Sequence, residues 1–354
     1  MSNTKVLLVG PYPPPFGGLS VQLCQWQRYL STRTGFKCEV LNIGEARDAT
    51  IDGCIPTFGY WDFLKKLWDY SSQGYLIHLM TNGHNAKSWL CACACAIAGI
   101  RKRRTVLVFG SGNAPDYMES SNILVKFLIR MSLRLGGSLI CRNHEMYEAL
   151  IRFGAVPSKT NIVTGFLGVN NSLNSKLPET IQTFLSHHEP VLGATANLDP
   201  EYGIPLMLEA VEELSTKYPR VGLLVIGPDE KAKDEFTPCK RLDHVHFTGP
   251  LRNEVVRDVM NHLTIFLRPT YFDGDSLSVR EALAQGLPVI ASDTGFRPPG
   301  ALLFTKGRTN ELIARIIYVL DNIQHVRAGI VRKGESDSAA ALLNIYQSLA
   351  DNKS

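Results

Sequence analysis

The sequence lacks the features of a membrane-spanning or secreted protein. No uninterrupted apolar run reaches the ~18 residues that a spanning helix needs. Residues 1–5 lead into a predicted strand without the basic and apolar regions of a signal peptide. The eight cysteines include no C-x-x-C pair, and three of them fall in the apolar run 89–100. These absences predict a cytoplasmic protein in a reducing compartment, which either stays in solution or touches a membrane without crossing it.

A strong charge of one sign is also absent. The net charge is +4, from 37 Lys and Arg residues against 33 Asp and Glu residues. Nucleic-acid-binding domains usually carry a strongly basic face, so this balance predicts no nucleic-acid partner. Hydrophobic residues make up 45% of the chain, which excludes a disordered protein. The length of 354 residues exceeds one ordinary core and predicts about two domains.

Two familiar catalytic signatures are missing as well. Gly110-Ser111-Gly112 lacks the third glycine of a dinucleotide fingerprint, which makes a nicotinamide-dependent oxidoreductase a distant alternative. No Ser-His-Asp or reactive-cysteine arrangement stands out, so no dedicated nucleophile is predicted. His78 and His84 are interpreted as structural, because a lone histidine more often has a structural role.

Short runs rich in Val, Ile and Leu alternate with helical patterns along most of the chain, as buried parallel strands do. The predicted strands are residues 6–10, 38–43, 75–80, 105–109, 138–142, 191–195, 221–227, 244–248, 264–267, 288–292 and 301–304. A polar stretch at 170–190 interrupts this alternation. The sequence therefore predicts an α/β protein with two Rossmann-like domains whose parallel sheets face each other across a cleft. The predicted parts are an N-terminal domain (1–170), a linker (171–190), a second domain (191–335) and a C-terminal helix (336–354).

The segment 268–293 carries the most functional information. It places two carboxylates, Asp273 and Glu281, across a glycine-containing junction between a loop and a helix. An apolar strand precedes the loop and another follows the helix, which is the βαβ pattern of an open parallel sheet. Such sheets bind ligands beyond the carboxyl ends of their strands, where helix N-termini offer unpaired N–H groups to phosphates.

Several motifs together resemble the retaining glycosyltransferases of the group 1 family, which have the GT-B fold. The motifs are the loop 10–18 after the first strand, the strand ends 225–228 and 247–250, the Asp-x7-Glu pair and the segment 286–293. In that family the first carboxylate contacts donor-sugar hydroxyls and the second contacts the nucleotide ribose. The resemblance assigns these roles to Asp273 and Glu281. The family usually has Glu at the first position, and Asp is shorter by roughly 1.5 Å, which suits a different donor sugar.

The chemistry of the loop supports the same donor site. A sugar nucleotide needs its pyrophosphate charge neutralised as the glycosidic bond breaks, and loop N–H groups with a helix N-terminus can do this without a metal. No cofactor is predicted, and the substrate is a UDP-sugar or GDP-sugar. The predicted catalytic residues are Asp273, Glu281 and Arg268. The predicted donor-binding residues are Gly17, Gly18, Gly274, Asp275, Ser276, Leu277, Arg280, Gly227 and Gly249.

The sequence departs from the family where cations usually grip the diphosphate. Asn197 and Tyr202 stand where family members commonly have Arg and Lys. Arg268 and Arg280 are the best-placed substitutes, with Arg297 behind them, because a guanidinium offers a planar fork of donors. The family also often has His-Gly where this chain has Phe109-Gly110.

Each of these residues also has a structural alternative. Ser278 and Glu281 fit the capping box S-x-x-E, in which Glu281 would serve its own helix. Arg268 would then be a salt-bridge partner of Asp273 or Asp275, and Arg280 a surface residue. The pair Asp273 and Asp275 also resembles the D-x-D motif that holds a metal-bound diphosphate in another glycosyltransferase fold.

The resemblance predicts a retaining, metal-independent hexosyltransferase that moves a sugar from its nucleotide donor to a saccharide acceptor. The predicted acceptor is lipid-linked, in the synthesis of a bacterial surface polysaccharide or glycolipid. The alternatives are a non-catalytic scaffold subunit of a membrane complex and a sugar-nucleotide epimerase, which converts the donor without an acceptor.

Basic and aromatic stretches in the first half predict a peripheral position on the inner face of the cytoplasmic membrane. They are residues 61–68, the run 101–104, and Lys126, Arg130 and Arg134 at four-residue spacing. Each basic residue near an anionic leaflet contributes about 1 kcal/mol to binding. The alternative is that these are solvated helix faces over an ordinary core.

Overall fold

The computed structural model describes residues 4–100, 104–110, 112–168, 176–236, 241–330 and 338–351. The chain divides into two compact units. Unit 1 comprises residues 1–167 and 336–354, and unit 2 comprises residues 168–335. Within the described ranges, no helix is both long enough and apolar enough to span a membrane.

Unit 1 is built on a parallel sheet with the strand order β2-β1-β3-β4-β5-β6 among its described residues. The strands are β1 (Thr4–Gly10), β2 (Phe36–Asn42), β3 (Leu76–Thr81), β4 (Thr105–Phe109), β5 (Ser138–Cys141) and β6 (Thr160–Ile162). The helices of residues 4–168 are α1 (Gly18–Ser31), α2 (Tyr60–Ser72), α3 (Ala86–Ala98), α4 (Ala114–Ser120), α5 (Ile123–Leu135) and α6 (His144–Arg152).

Alternating side chains along β1 separate the two helical layers of unit 1, because successive residues of a strand point to opposite faces. Leu7 and Val9 belong to the core under α2, α3 and α5. Val6 and Leu8 belong to the core on the other face, which also contains Trp26 of α1. Both faces of the sheet are therefore buried, as a parallel sheet requires.

Unit 2 has a second parallel sheet, with the order β12-β11-β10-β7-β8-β9 in the part of the chain that is described. The strands are β7 (Val191–Thr195), β8 (Gly222–Ile226), β9 (Val245–Phe247), β10 (Ile265–Arg268), β11 (Val289–Asp293) and β12 (Leu302–Thr305). The helices are α7 (Glu179–His187), α8 (Ile204–Lys217), α9 (Asn253–Met260), α10 (Leu277–Ala284), α11 (Thr309–Asp321) and α12 (Ile323–Gly329).

The direction of winding reverses once in each sheet. In unit 1 the reversal lies between β1 and β3, and in unit 2 it lies between β7 and β10. Open α/β sheets bind ligands outside the carboxyl ends of the strands at such a switch point. The candidate ligand-binding residues are therefore those that follow Gly10 and Thr81 in unit 1, and Thr195 and Arg268 in unit 2.

The last helix, α13 (Ser338–Asp351), packs on unit 1 rather than on the unit that precedes it in sequence. Its Leu342 and Tyr346 are buried in the core that contains Val6 and Leu8. The Tyr346 hydroxyl also forms a 2.7 Å hydrogen bond with Nδ1 of His78 on β3. The chain therefore crosses from unit 2 back to unit 1 before residue 338.

The range 171–190, predicted as a linker, contains helix α7, while residues 171–175 lie outside the described ranges. Ile181 of α7 is fully buried in a core of unit 2, and Phe184 and Leu185 pack against that core. These three apolar positions have helical spacing, but the polar residues around them hid the pattern. Strand β6 was also absent from the predicted strands, because its three residues include a single buried side chain.

Candidate functional site

The carboxyl ends of β7 and β10 are joined by hydrogen bonds at the switch point of unit 2. Arg268, the last residue of β10, donates from Nη1 to the carbonyl oxygen of Thr195, the last residue of β7, at 3.1 Å. Thr195 Oγ1 in turn donates to Oγ of Ser278 at 3.0 Å, in the first turn of α10. A guanidinium group and a helix N-terminus thus lie together at the place where this topology binds ligands.

Asp273 is held beside Arg268 by two arginines. Arg268 Nε donates to Asp273 Oδ2 at 2.9 Å, and Arg297 Nη1 donates to the same oxygen at 2.6 Å. The side chains of Asp273 and Arg297 are 11% and 2% exposed. Burial by itself raises the pKa of Asp273, but the charges of Arg268 and Arg297 outweigh this and hold that pKa below its usual value. Asp273 is therefore an ionised carboxylate in a fixed position.

Within the described residues, the hydrogen bonds of the Asp273 side chain share one of its two oxygens. Besides the two arginines, Thr270 Oγ1 donates to Oδ2 at 3.4 Å. Oδ1 takes part in none of these three bonds. A carboxylate can accept several donors, so Asp273 can bind the arginines and a sugar hydroxyl through different oxygens.

Arg297 ties the Asp273 loop to the end of β11. Its Nε donates to the carbonyl oxygen of Ser292 at 2.8 Å, and its Nη2 donates to Thr270 Oγ1 at 2.8 Å and to Ser292 Oγ at 3.1 Å. All three nitrogens of this nearly inaccessible guanidinium donate to protein atoms. Arg297 thus lies closer to the centre of the cluster than its predicted position behind Arg268 and Arg280.

Tyr202 stands where the family commonly has a lysine, and its ring lies against Arg268. The Arg268 guanidinium carbon is 5.2 Å from the Tyr202 ring centroid. Such contacts contribute about 0.5–2 kcal/mol, depending on how much water they exclude. Burial raises the pKa of the Tyr202 hydroxyl, so the ring stays neutral. Tyr202 therefore supports the cation of Arg268 and supplies none of its own.

The loop after Asp273 is closed by a second ion pair. Arg280 Nε donates to Asp275 Oδ1 at 2.6 Å, and the Asp275 side chain is 1% exposed. Gly274, Ser276 and Leu277 of the same loop are buried. Arg280, predicted as a cation for the diphosphate, is thus already engaged by Asp275.

The D-x-D alternative does not fit this arrangement. Asp273 is bound by Arg268 and Arg297, and Asp275 is bound by Arg280, so a metal would have to displace three guanidinium groups. Among the described ranges, no group of three or more His, Cys, Asp or Glu side chains is placed to hold a metal ion.

Ser278 and Glu281 do not form a capping box at the start of α10. The N-cap of α10 is Ser276, without a side-chain capping hydrogen bond, and Ser278 is already the second helical residue. The capping-box alternative is therefore wrong. Glu281 is 3% exposed and its Oε1 accepts a 2.9 Å hydrogen bond from Asn253 Nδ2, at the start of α9. This carboxylate thus links α10 to α9.

Two glycines let the backbones at the switch point approach each other closely. Gly227 has a φ of +131°, and a Cβ there would lie 2.0 Å from the carbonyl oxygen of Ala196. A Cβ on Gly203, at the start of α8, would lie 2.3 Å from the carbonyl oxygen of Pro269. Any side chain at either position would push apart the segments that follow β7, β8 and β10. Gly249, with a φ of +73°, accepts a 3.2 Å hydrogen bond from the Gly227 N–H.

Gly17 and Gly18 belong to unit 1, whereas the other predicted donor-binding residues belong to unit 2. They follow β1 at the switch point of that unit, and Gly17 is the N-cap of α1. Both are exposed, and the Gly17 N–H donates to Ser20 Oγ at 2.8 Å. The rest of the predicted site lies in unit 2.

An open cavity of about 460 Å³ adjoins the charged cluster of unit 2. Its lining residues are Pro200, Glu201, Gly203, Pro205, Leu206, Tyr271 and Phe272. Glu201 and Phe272 are the direct chain neighbours of Tyr202 and Asp273. The volume falls in the range of small-molecule sites.

Sequence reasoning missed several polar residues that hold this site together. Thr195 and Ser292 anchor the arginines from the ends of β7 and β11, Thr270 reaches Asp273, and Asn253 reaches Glu281. The available signal was that Thr195 and Ser292 are polar residues at the ends of apolar runs.

Of the basic run 101–104, which was predicted to bind a membrane, residues 101–103 lie outside the described ranges.

Comparison with known proteins identifies a family domain within unit 2. Residues 189–322 match the family model of the group 1 glycosyl transferases. Residues 189–322 form a group 1 glycosyltransferase domain. This domain contains Arg268, Asp273, Glu281 and Arg297, whereas Gly17 lies outside it.

Solved structures show that the whole chain has the GT-B fold. HepE of Anabaena, crystallised with UDP and with UDP-glucose, aligns with a TM-score of 0.70 over 98% of both chains at 18% identity. Sucrose-phosphate synthase of Thermosynechococcus elongatus aligns with a TM-score of 0.70 over 98% of this chain and 96% of its own, at 16% identity. Two six-stranded parallel sheets in the described residues are what this fold requires.

Two related enzyme subunits match this chain over only part of their length. The gpi3 subunit of phosphatidylinositol N-acetylglucosaminyltransferase from Schizosaccharomyces pombe is 22% identical over 62% of this chain and 47% of its own. The human enzyme of the same name has a matching subunit, which is 23% identical over 54% of this chain and 39% of its own. The chain thus matches less than half the length of these relatives.

Proposed function

We propose that this protein is a retaining, metal-independent hexosyltransferase of the group 1 family. It transfers a sugar from a UDP-sugar or GDP-sugar to a saccharide acceptor, without a cofactor. The proposed acceptor is lipid-linked, which is consistent with two relatives that are named for a reaction on phosphatidylinositol. The proposed setting is the synthesis of a surface polysaccharide or glycolipid.

The observation that carries this proposal is the ionised Asp273 beside Arg268, at the N-terminus of α10 and at the switch point of unit 2. Asp273 Oδ1 would accept a hydroxyl of the donor sugar. Arg268, with the N–H groups of Gly274 to Leu277, would stabilise the charge that develops on the leaving diphosphate. Glu281 would bind the ribose through its carboxylate, and backbone groups near Gly227 and Gly249 would contact the base.

Retention of configuration follows if the acceptor attacks from the face that the diphosphate leaves. The leaving phosphate oxygen would then help to deprotonate the acceptor hydroxyl, and no protein nucleophile would be needed. Asp273 would then act only as a hydrogen-bond acceptor for the donor sugar. Its two arginine partners suit it to this role, because its lowered pKa makes it a weak base that stays ionised.

A donor-hydrolysis screen with common UDP- and GDP-sugars tests the proposal. We expect hydrolysis of one donor class, with the same rate in EDTA and a loss of about 100-fold in Asp273→Asn, because a fixed charge is removed from the reacting sugar. Asp321→Asn, which removes an exposed carboxylate at the end of α11, is the matched control and should keep the full rate. Equal rates in both variants would contradict the proposal.

A non-catalytic scaffold subunit is the second candidate, because Asn197 and Tyr202 replace two cations and Asp273 is already bound by arginines. Calorimetric titration separates the two functions. The transferase must bind its donor, whereas a scaffold need bind no sugar nucleotide. An epimerase would instead change the donor sugar in the absence of any acceptor, which product analysis of the same reactions detects.

A further inference from the structure

Helices α3 and α5 lie side by side on one face of the unit 1 sheet. Trp89 of α3 and Ile129 of α5 are both fully buried in the same core. Ser132 Oγ of α5 also donates to the Trp89 carbonyl oxygen at 3.5 Å. Because the inner sides of both helices pack on the sheet, their outer sides point away from it together. We call this outer surface the α3–α5 face.

Large apolar side chains are exposed on the α3–α5 face. On α5, Ile123, Leu124 and Phe127 are 82%, 73% and 61% exposed. On α3, Leu90 and Ile97 are 42% and 44% exposed. Single exposed apolar residues are ordinary, but a contiguous group of them marks a surface that contacts a partner or a membrane.

The charges of the α3–α5 face all have one sign. Its basic residues are Lys87 on α3 and Lys126, Arg130 and Arg134 on α5, and neither helix contains Asp or Glu. None of the four forms a salt bridge within the described residues. The neighbouring helix α2 differs, because its Lys66 pairs with Asp62 at 2.7 Å.

We propose that the α3–α5 face docks on an anionic lipid bilayer. This inference rests on the proposed function, because it places a transferase that acts on a lipid-linked acceptor at the surface where such an acceptor lies. Ile123, Leu124 and Phe127, in the first half of α5, enter the boundary between headgroups and acyl chains. Arg130 and Arg134, in the second half, bind the headgroup phosphates.

Charge decides between a bilayer and a second copy of the chain. A two-fold dimer through this face would place four uncompensated basic residues against the same four on the partner copy. Like charges facing each other across an interface are unfavourable, whereas the same residues match an anionic membrane surface. A bilayer also accepts exposed apolar side chains without a shape-matched groove.

Vesicle sedimentation with the full chain, in the absence of any donor, tests the inference. We expect the protein to sediment with vesicles of phosphatidylcholine mixed with phosphatidylglycerol and to remain in the supernatant with phosphatidylcholine alone. Added salt should weaken the binding, because it screens charges at the surface.

Two variants with matched controls resolve the apolar and basic contributions. Phe127→Ser should weaken partitioning about tenfold, because a largely exposed ring no longer enters the bilayer. Tyr318→Ser removes a 45% exposed aromatic residue from α11 of unit 2 and should change nothing. Arg134→Gln should weaken partitioning about fivefold. The control Arg327→Gln makes the same charge change on an exposed residue of α12 in unit 2.

Equal losses in the variants and their controls, or no sedimentation with anionic vesicles, would overturn the proposal. So would a dimer in vesicle-free solution that Phe127→Ser dissociates, because the face would then bind a second copy. Hydrolysis of a water-soluble donor is measured without vesicles. A failure of membrane docking is therefore separate from a failure of the proposed transferase activity.

Discussion

Each unit buries a titratable group near its switch point, and the two groups differ in charge. In unit 1, His78 lies within β3 and is 1% exposed. Burial lowers the pKa of His78 to about 3, and the charge of Arg142 contributes to this shift. In unit 2, Asp273 follows β10 and stays ionised between Arg268 and Arg297. Similar burial thus keeps the histidine neutral and the carboxylate charged.

The partners of each group account for the difference. His78 has a neutral partner, the Tyr346 hydroxyl, and a nearby cation, Arg142, so its protonation would bury a charge that neither group balances. Asp273 has two guanidinium partners whose attraction exceeds its desolvation penalty. Ligand chemistry is therefore expected at the charged cluster of unit 2, while the structural role of His78 stays a prediction.

Asp273→Asn should have the largest effect, because it leaves Arg268 and Arg297 buried without a counter-charge. We expect unit 2 to lose about 3–5 kcal/mol of unfolding free energy, as other broken buried ion pairs do. Circular dichroism during urea unfolding follows both units. Tryptophan fluorescence follows unit 1 alone, because all four tryptophans (26, 61, 68 and 89) lie there.

The fluorescence transition should be unchanged in Asp273→Asn, and Asp321→Asn should leave both transitions in place. A loss below about 1 kcal/mol in unit 2 would show that the arginines do not depend on Asp273.

Acid should destabilise unit 1 before unit 2. The pKa of His78 is lower in the folded state than the ordinary value of 6.5, so below pH 6.5 the unfolded state binds more protons and stability falls as pH falls. At pH 5 the expected loss is about 2 kcal/mol, seen by tryptophan fluorescence. The pKa of Asp273 is lowered below 3.8, so its contribution to unit 2 is lost only at still lower pH.

His78→Gln should remove most of the pH dependence of unit 1 between pH 6.5 and pH 5, because glutamine does not titrate there. Burial also lowers the pKa of His188 in unit 2, but this residue is partly exposed and should contribute less to the pH dependence of stability. A pH dependence that His78→Gln leaves intact would assign the acid sensitivity to another group.

Tyr346→Phe should have a smaller effect on the same region. It removes the hydroxyl that binds Nδ1 of His78 and leaves that nitrogen without this partner, which costs about 1.5 kcal/mol. The loss should appear in tryptophan fluorescence and leave unit 2 unchanged. Tyr318→Phe, at an exposed tyrosine of unit 2, is the control, and an equal loss in both variants would contradict the assignment.

Glu281→Gln should have the smallest effect on stability, below about 1 kcal/mol, because glutamine keeps an oxygen for Asn253 and α10 begins at Ser276 without a capping box at Ser278 and Glu281. Donor affinity should fall about tenfold if the carboxylate binds the ribose, since a charged acceptor is lost. Calorimetric titration of the donor separates these two quantities. Unchanged affinity would contradict a ribose-binding role and leave Glu281 with a structural role, which includes its contact with Asn253.

Residue patterns were enough to predict the fold and the position of the charged segment. Apolar runs of strand length recur because parallel strands are buried on both faces, and the pattern around 268–293 identified the loop that carries Asp273 and Asp275. Strand β6 and helix α7 were not predicted, because few of their side chains are buried.

Which groups meet depends on the packing of distant segments. Asp273 binds Arg297, 24 residues away, and Arg268 binds Thr195, 73 residues away. Helix α13 returns to unit 1 and places Tyr346 on His78, 268 residues away in sequence. Such partners depend on strand order and on the packing of loops at strand ends, which local periodicity does not encode. The charge of a buried group depends on those partners. The sequence therefore identified the carboxylates, but only the tertiary structure determines whether they are ionised.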